Sequence, residues 1–177
     1  MNTVQIIAFT HRQFNFDEIG LFHLDDKQRI DILTNLKTNL DIDELMYLST
    51  CNRVEFIVSH EKKITKTFVE KLIKQLLADQ LPANLKDIVD RAEIINSKAA
   101  VHHIFSVASS IDSLVVGERE IITQVRKAFE ECRENNLCGD VIRVLVQSTI
   151  STAKKVYTES NIGTCLLYTS PSPRDKR

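Results

Sequence analysis

Two short apolar runs, Leu45-Met46-Tyr47-Leu48 and Phe56-Ile57-Val58, flank the polar stretch Ser49-Thr50-Cys51-Asn52-Arg53-Val54-Glu55. No other feature constrains the fold of this chain as strongly. Runs of this length and make-up read as buried strands, so the link Thr50-Cys51-Asn52-Arg53 is expected as a loop at one end of a sheet. Loops held by rigid strands commonly carry chemistry. A thiol there is placed to serve as a nucleophile. Arg53, two residues on, brings a permanent cation that can lower a thiol pKa or hold a carboxylate in bidentate fashion. By residue type alone, Cys51 also fits a small buried hydrophobe and Arg53 a solvated surface cation.

Composition narrows the classes. The chain has 177 residues, 43% of them hydrophobic, enough for one ordinary domain or two small ones with a core. No stretch approaches the roughly 20 apolar residues of a membrane span, and the start lacks the charged-then-apolar design of a secretory signal. A cytoplasmic location is the expectation. Cys51, Cys132, Cys138 and Cys165 form no Cys-x-x-Cys pair and have no histidine at zinc-finger spacing. Neither a disulfide framework nor a metal site is indicated, and reduced thiols are expected. A net charge of −1 gives no global attraction to polyanions. Any nucleic acid would need a local patch or a part of the protein outside this chain.

The first half alternates strand and helix patterns and the second half is almost wholly helical. This predicts an α+β unit over residues 1–95 followed by a helical unit over 96–163. Val4 to Phe9 reads as a strand. Asp26 to Leu40 reads as a helix with Ile30, Leu33 and Leu36 on one face and Asp25 or Asp26 as cap. The strand pair around Cys51 follows. Ile64 to Ala78 then carries Phe68, Val69, Leu72, Ile73, Leu76 and Leu77 at helical spacing, and Pro82 ends it. Ile88-Val89 and Ala92 to Ile95 offer a further short strand. The resulting β-α-β-β-α-β order predicts a ferredoxin-like arrangement.

Three helices are expected beyond Ile95. Ser97 to Ala108 turns Ala100, Val101, Ile104, Phe105 and Ala108 inward, and Asp112-Ser113 interrupts the pattern. A second helix runs through Ile121, Ile122, Val125, Ala128, Phe129 and Cys132 to about Glu134, which puts Cys132 in the core. After Gly139, Asp140 to about Glu159 carries Val141, Val144, Leu145, Ile150, Ala153 and Val156, a stripe that needs a partner surface.

Three motifs stand in order: Ser49-Thr50-Cys51-Asn52-Arg53-Val54-Glu55, then His103 through Ser113-Leu114-Val115-Val116-Gly117-Glu118, then Ile121-Ile122-Thr123-Gln124-Val125. Together they resemble glutamyl-tRNA reductase, and the likeness runs from about Ile7 to about Gly163. The resemblance implies reduction of the glutamyl group of glutamyl-tRNA to glutamate-1-semialdehyde with NADPH, the first step of the five-carbon route to tetrapyrroles. Cys51 matches the family's nucleophile, whose thiolate forms a thioester that hydride then reduces. Thr50, Asn52 and Arg53 match its substrate-binding loop. His103 matches its activity-linked histidine, a proton carrier by chemical type, whereas the neighbouring His102 has no such match. His11 also matches a family position and is given no catalytic role. Ser113, Glu118, Arg119, Glu120 and Gln124 match a second substrate-binding region, although the family commonly has Pro at the Arg119 position and Gln at Glu120. A homodimeric full-length protein is further implied, as is contact with the downstream aminomutase.

After Gly163 the sequence through Thr164-Cys165-Leu166-Leu167-Tyr168-Thr169-Ser170-Pro171-Ser172-Pro173 to Arg177 carries no helix or strand periodicity, and 164–177 reads as a non-native or disordered tail. The four glycines contain no Gly-x-Gly-x-x-Gly, so NADPH is expected on a domain absent from this chain. The expected fragment holds the thiol half of the mechanism. The alternatives are a cysteine-dependent hydrolase or acyl transferase, in which His103 must touch Cys51, and a non-catalytic aminoacyl-tRNA binding module with a structural cysteine.

Overall fold

The apolar runs around Cys51 form the hairpin that the sequence demands. In a computed structural model describing residues 3–78, 80–112 and 120–160, strand β1 (Thr3–Thr10) leads to helices α1 (Phe16–Gly20) and α2 (Arg29–Asn39). The hairpin β2 (Glu44–Thr50) and β3 (Arg53–His60) follows, then α3 (Lys66–Leu77), α4 (Leu85–Arg91) and β4 (Glu93–Asn96). The strands form one sheet in the order β2-β3-β1-β4, every neighbouring pair antiparallel. This is the ferredoxin-like order of an α+β domain. Helices α5 (Ser97–Ala108), α6 (Glu120–Glu134) and α7 (Asp140–Glu159) complete the described chain.

Register sorts the side chains onto two faces, because successive residues of a strand point to opposite sides. Ile6 and Ala8 of β1 stand opposite Ile57 and Glu55 of β3, which in turn face Met46 and Leu48 of β2. Helices α5 and α7 cover this side. On the other side Phe9, Phe56 and Tyr47 join Phe14 and Phe22 in an aromatic cluster, with Phe9 and Phe22 stacked at 3.9 Å between ring centroids. Tyr47 donates its hydroxyl proton to the Phe22 carbonyl at 2.9 Å and accepts from the Leu24 amide at 3.1 Å, which satisfies the phenol inside the cluster. Every residue of β3 is buried, as expected for a central strand covered on both faces.

Local rules explain several boundaries. A capping box starts α1: Asn15 Oδ1 accepts from the Glu18 amide and Glu18 Oε2 from the Asn15 amide. Thr65 caps α3, which buries Val69, Leu72, Ile73 and Leu76. Helix α6 ends in a Schellman turn, with Asn136 at φ 59° and the Leu137 amide bonded to the Cys132 carbonyl at 2.9 Å. That turn swings Leu137 and Cys138 against the outer edge of β2. There the Leu137 carbonyl accepts from the Leu45 amide at 2.9 Å and the Cys138 thiol donates to the Leu45 carbonyl at 3.3 Å. Cys132 is buried, as its helical stripe predicts.

Besides α1, which the sequence pattern does not show, the structure departs from that pattern in three places. The helix expected from Asp26 begins at Arg29, after a turn in which Asp25 Oδ1 accepts from the Lys27 amide, and no side chain caps it. Ile88 and Val89 lie in α4, so the fourth strand is confined to Glu93–Asn96. On α7 the buried stripe is Ile142, Leu145, Val146, Thr149 and Ala153, whereas Val144 is 53% exposed. The start of α7 is set from outside the helix, since Glu44 of β2 accepts from the Val141 and Ile142 amides at 3.0 and 2.8 Å.

Candidate active site

The loop bearing the thiol is tighter than the sequence suggested. Thr50 pairs with Arg53 across the hairpin, leaving only Cys51 and Asn52 in the turn. The Cys51 side chain is exposed and donates its thiol proton to Asn52 Oδ1 at 2.7 Å. The Asn52 amide donates to Thr50 Oγ1 at 3.4 Å, and the Asn52 carbonyl accepts from the His11 amide at 3.0 Å. The turn is thus tied to the end of β1 as well as to its own strands. This holds an exposed sulfur on a short, braced support.

Arg53 lies inside the protein rather than on its surface, at 2% exposure. Its Nη1 donates to Glu55 Oε1 at 2.8 Å and lies 3.4 Å from Asp112 Oδ2, while Nη2 donates to the Asp112 backbone carbonyl. Glu55, two residues along the same strand and therefore on the same face, is fully buried. His103 reaches it from α5, with Nε2 2.9 Å from Glu55 Oε1 and Nδ1 3.9 Å from Asp112 Oδ2. Arg12, just past β1, pairs with Asp112 Oδ1 from the solvent side. Three cations and two carboxylates from four parts of the chain thus form one cluster. Among the described residues Glu55 Oε2 has no hydrogen-bond partner.

The cluster sets its own protonation. Burial pushes His103 towards the neutral form, but the hydrogen bond and charge of Glu55, helped by Asp112, outweigh burial and leave its pKa above the ordinary histidine value. For Glu55, burial pushes the carboxyl up. The His103 hydrogen bond and the charges of His103 and Arg53 together pull it below the ordinary value. An imidazolium facing a carboxylate is the consistent state of the pair. Both His103 ring nitrogens are directed at carboxylates, and the Cys51 thiol is bonded to Asn52. The direct Cys51–His103 hydrogen bond that a stand-alone hydrolase requires is absent among the described residues.

Gln124 of α6 lines a cavity of about 220 Å³ together with Ser49, Tyr47, Arg29, Lys127 and Glu131. Ser49 Oγ lies 2.9 Å from His23 Nδ1. Glu120 is exposed at the first position of α6. Ser113, Glu118 and Arg119 lie outside the described residues. His102 is exposed and shares with His103, Arg12, Glu93 and Asp112 the wall of an open cleft of about 530 Å³. Sequence reasoning gave no role to Glu55, Asp112 or Arg12. The Arg-x-Glu spacing on a strand was a usable signal for Glu55. Nothing in the sequence marks Asp112, which comes from 59 residues away. Among the described residues no group of three or more His, Cys, Asp or Glu side chains is arranged to hold a metal ion, and no helix is long and apolar enough to cross a membrane.

The comparisons with known proteins agree with one another. The family described as the N-terminal domain of glutamyl-tRNA(Glu) reductase matches residues 7–160. The glutamyl-tRNA reductase of a Nitratiruptor species is 34% identical over 160 residues, covering 89% of this chain and 36% of that protein. That of Campylobacter concisus is 35% identical over 161 residues, covering 88% and 36%. The solved glutamyl-tRNA reductase from Methanopyrus kandleri superposes with a TM-score of 0.72 at 22% identity, covering 91% of this chain and 36% of that one, a likeness of fold. The chain therefore spans little more than a third of the length of these relatives. With its sheet order, its braced thiol turn and a family match across residues 7–160, the chain belongs to the glutamyl-tRNA reductase N-terminal domain family.

Proposed function

We propose that this chain is the acyl-accepting part of a glutamyl-tRNA reductase, in which Cys51 takes the glutamyl group from glutamyl-tRNA. The observation that carries the reading is the exposed Cys51 sulfur on a two-residue turn pinned to three strand ends. The Cys51 thiolate attacks the ester carbonyl and the tetrahedral oxyanion collapses. The bond to the ribose oxygen of the tRNA terminus breaks, and that oxygen takes up a proton, leaving a thioester. Thr50, Asn52 and Gln124 supply hydrogen-bonding groups for orienting the glutamyl moiety, and positioning of this kind lowers the barrier. Arg53 serves as the cation for the substrate carboxylate by exchanging one of its contacts with Glu55 and Asp112 for it. His103, kept charged by Glu55, is the proton carrier of the cluster.

Reduction of the thioester to glutamate-1-semialdehyde by NADPH, the entry to tetrapyrrole synthesis, is assigned to the full-length protein. The described sheet of this chain is wholly antiparallel and offers no parallel strand–glycine turn–helix crevice of the dinucleotide type, so no step here runs through the cofactor. A cytoplasmic setting, a full-length homodimer and contact with the downstream aminomutase belong to the same proposal. So does a boundary between residues 95 and 96; the expected tail over 164–177 lies outside the described residues.

The test is to incubate the chain with glutamyl-tRNA labelled in the glutamyl group and to map the label. A thioester on Cys51, lost in Cys51→Ser, with free glutamate and no aldehyde whether or not NADPH is added, is the expected result. Binding of the tRNA with no transfer of label would favour a binding module. Glutamate release that survives Cys51→Ser would overturn the reading.

A further inference from the structure

Asp112 is a heavily connected side chain of the cluster that the thiol chemistry alone does not explain. Helix α5 ends in a Schellman turn around Ser110 at φ 56°, with the Ser110 amide bonded to the Val107 carbonyl at 2.9 Å and the Ile111 amide to the Ser106 carbonyl at 3.0 Å. The Asp112 amide is anchored to the same Ser106 carbonyl at 3.3 Å. The left-handed backbone of Ser110 permits this turn, which directs Asp112 back toward the sheet. Its carboxylate meets Arg12 on one oxygen and Arg53 and His103 on the other, and its backbone carbonyl takes the second Arg53 nitrogen.

We propose that Asp112 is a positioning residue for the Cys51 chemistry, acting through Arg53 and His103 by fixing the direction of the guanidinium and the charge and orientation of the imidazole. The inference rests on the functional reading above. Its physical basis is the charge balance of the cluster. Glu55 and Asp112 are the only carboxylates within reach of Arg53 and His103 on the described elements. Glu93 and His102 line the same cleft without a hydrogen bond to either. Without the Asp112 charge, three cations face one carboxylate. Arginine does not release its proton under these conditions, so the proton shed is that of His103. Arg53, buried, then keeps Glu55 and the backbone carbonyl of residue 112 but loses the charge of the carboxylate 3.4 Å from its Nη1.

The experiment is titration of the histidine ring protons by NMR in this chain, comparing the wild type with Asp112→Asn, Asp112→Glu and Arg12→Gln. Asp112→Asn is expected to lower the His103 midpoint by about one unit, the scale of a lost neighbouring charge, while His23 stays in place. Asp112→Glu should restore part of the shift. Arg12 is 57% exposed, and removing its charge should move the His103 midpoint upward without harm to the fold. This arm decides the matter if Asp112→Asn does not fold. A His103 midpoint unmoved in the folded variants overturns the proposal. In parallel, label transfer to Cys51 should fall at least tenfold in Asp112→Asn and recover in Asp112→Glu. Shifted titration with unaltered transfer would also overturn it. If the wild type itself accepts no label, the functional reading fails, and the titration still measures the hold of Asp112 on His103.

Discussion

The two faces of β1 and β3 solve burial in opposite ways. One face packs Phe9, Phe56 and Tyr47 against Phe14 and Phe22. The other buries Glu55 and Arg53 against His103 and Asp112. Aromatic packing is a sum of many small contacts and degrades gradually when one is lost. A buried ionic cluster stands only while each charge is matched, because any partner left alone bears its desolvation cost. One face therefore tolerates conservative exchange, and the other does not tolerate even an isosteric one.

The largest expected effect tests that difference directly. Glu55→Gln keeps the volume but leaves Arg53 and His103 without their shared carboxylate. It should cost about 3–5 kcal/mol in urea unfolding, the scale of a broken buried pair. A loss under about 1 kcal/mol would break the comparison. On the aromatic face, Phe9→Leu removes part of a ring and leaves a gap that neighbours can partly fill. About 1–2 kcal/mol is expected, well short of the roughly 3–5 for Phe→Ala. If this exchange proved costlier than Glu55→Gln, the faces would have to be ranked the other way.

A smaller effect appears in the pH dependence of stability. Glu55 is lowered in the folded state, so its contribution is present above about 4.5, the unfolded carboxyl value, and is lost as pH falls through the folded one. His103 is raised, so its contribution is full below about 6.5 and is lost as pH rises through its folded value. The ionic face should therefore be strongest between about pH 4.5 and 6.5. His23, pulled down by burial and by the charge of Arg29, has the opposite sign, and its term favours folding increasingly as pH rises to about 6.5. Subtracting the stability profile of His103→Asn from that of the wild type should leave a difference that shrinks above pH 6.5. With His23→Asn the difference should grow less unfavourable to the wild type over the same approach to pH 6.5.

The smallest effect lies at the far end of the ionic face, where Glu44 meets backbone instead of cations. A Cβ on Gly139 would come within 2.7 Å of Glu44 Oε1 and displace the carboxylate that caps α7. Gly139→Ala should cost about 1 kcal/mol, as for a lost helix cap. Glu44→Gln, measured in the same denaturation series, should approach this value. Full additivity of the two changes would show that the cap is not what they share.

Periodicity made most of the scaffold legible. The hairpin, α3 and α5 to α7 follow from patterns long enough to show their period. Helix α1 escaped because five residues display no period, and only the Asn15–Glu18 pair marked it. Ile88-Val89 resembled a strand by composition until tertiary packing settled it as helix. On α7, Val144 and Val146 are equally apolar, and only the position of the sheet decides which is buried. Cys51 was readable as a thiol in a loop at a sheet end because its neighbours were strands. Of the partners of Arg53, Glu55 had a signal in the Arg-x-Glu spacing, whereas Asp112 had none, since a buried ion pair between β3 and a helix-ending turn leaves no trace in local spacing.

The cover over the outer edge of β2 has a consequence in time. The Cys138 thiol that meets the Leu45 carbonyl is 93 residues further along the chain. At roughly 5–20 residues per second of synthesis, β2 emerges from the ribosome several seconds before the segment that closes its edge. For that interval the strand presents open amides and carbonyls, the template on which foreign strands pair. A nascent chain stalled between the hairpin and residue 138 should be the form of this protein most in need of a chaperone.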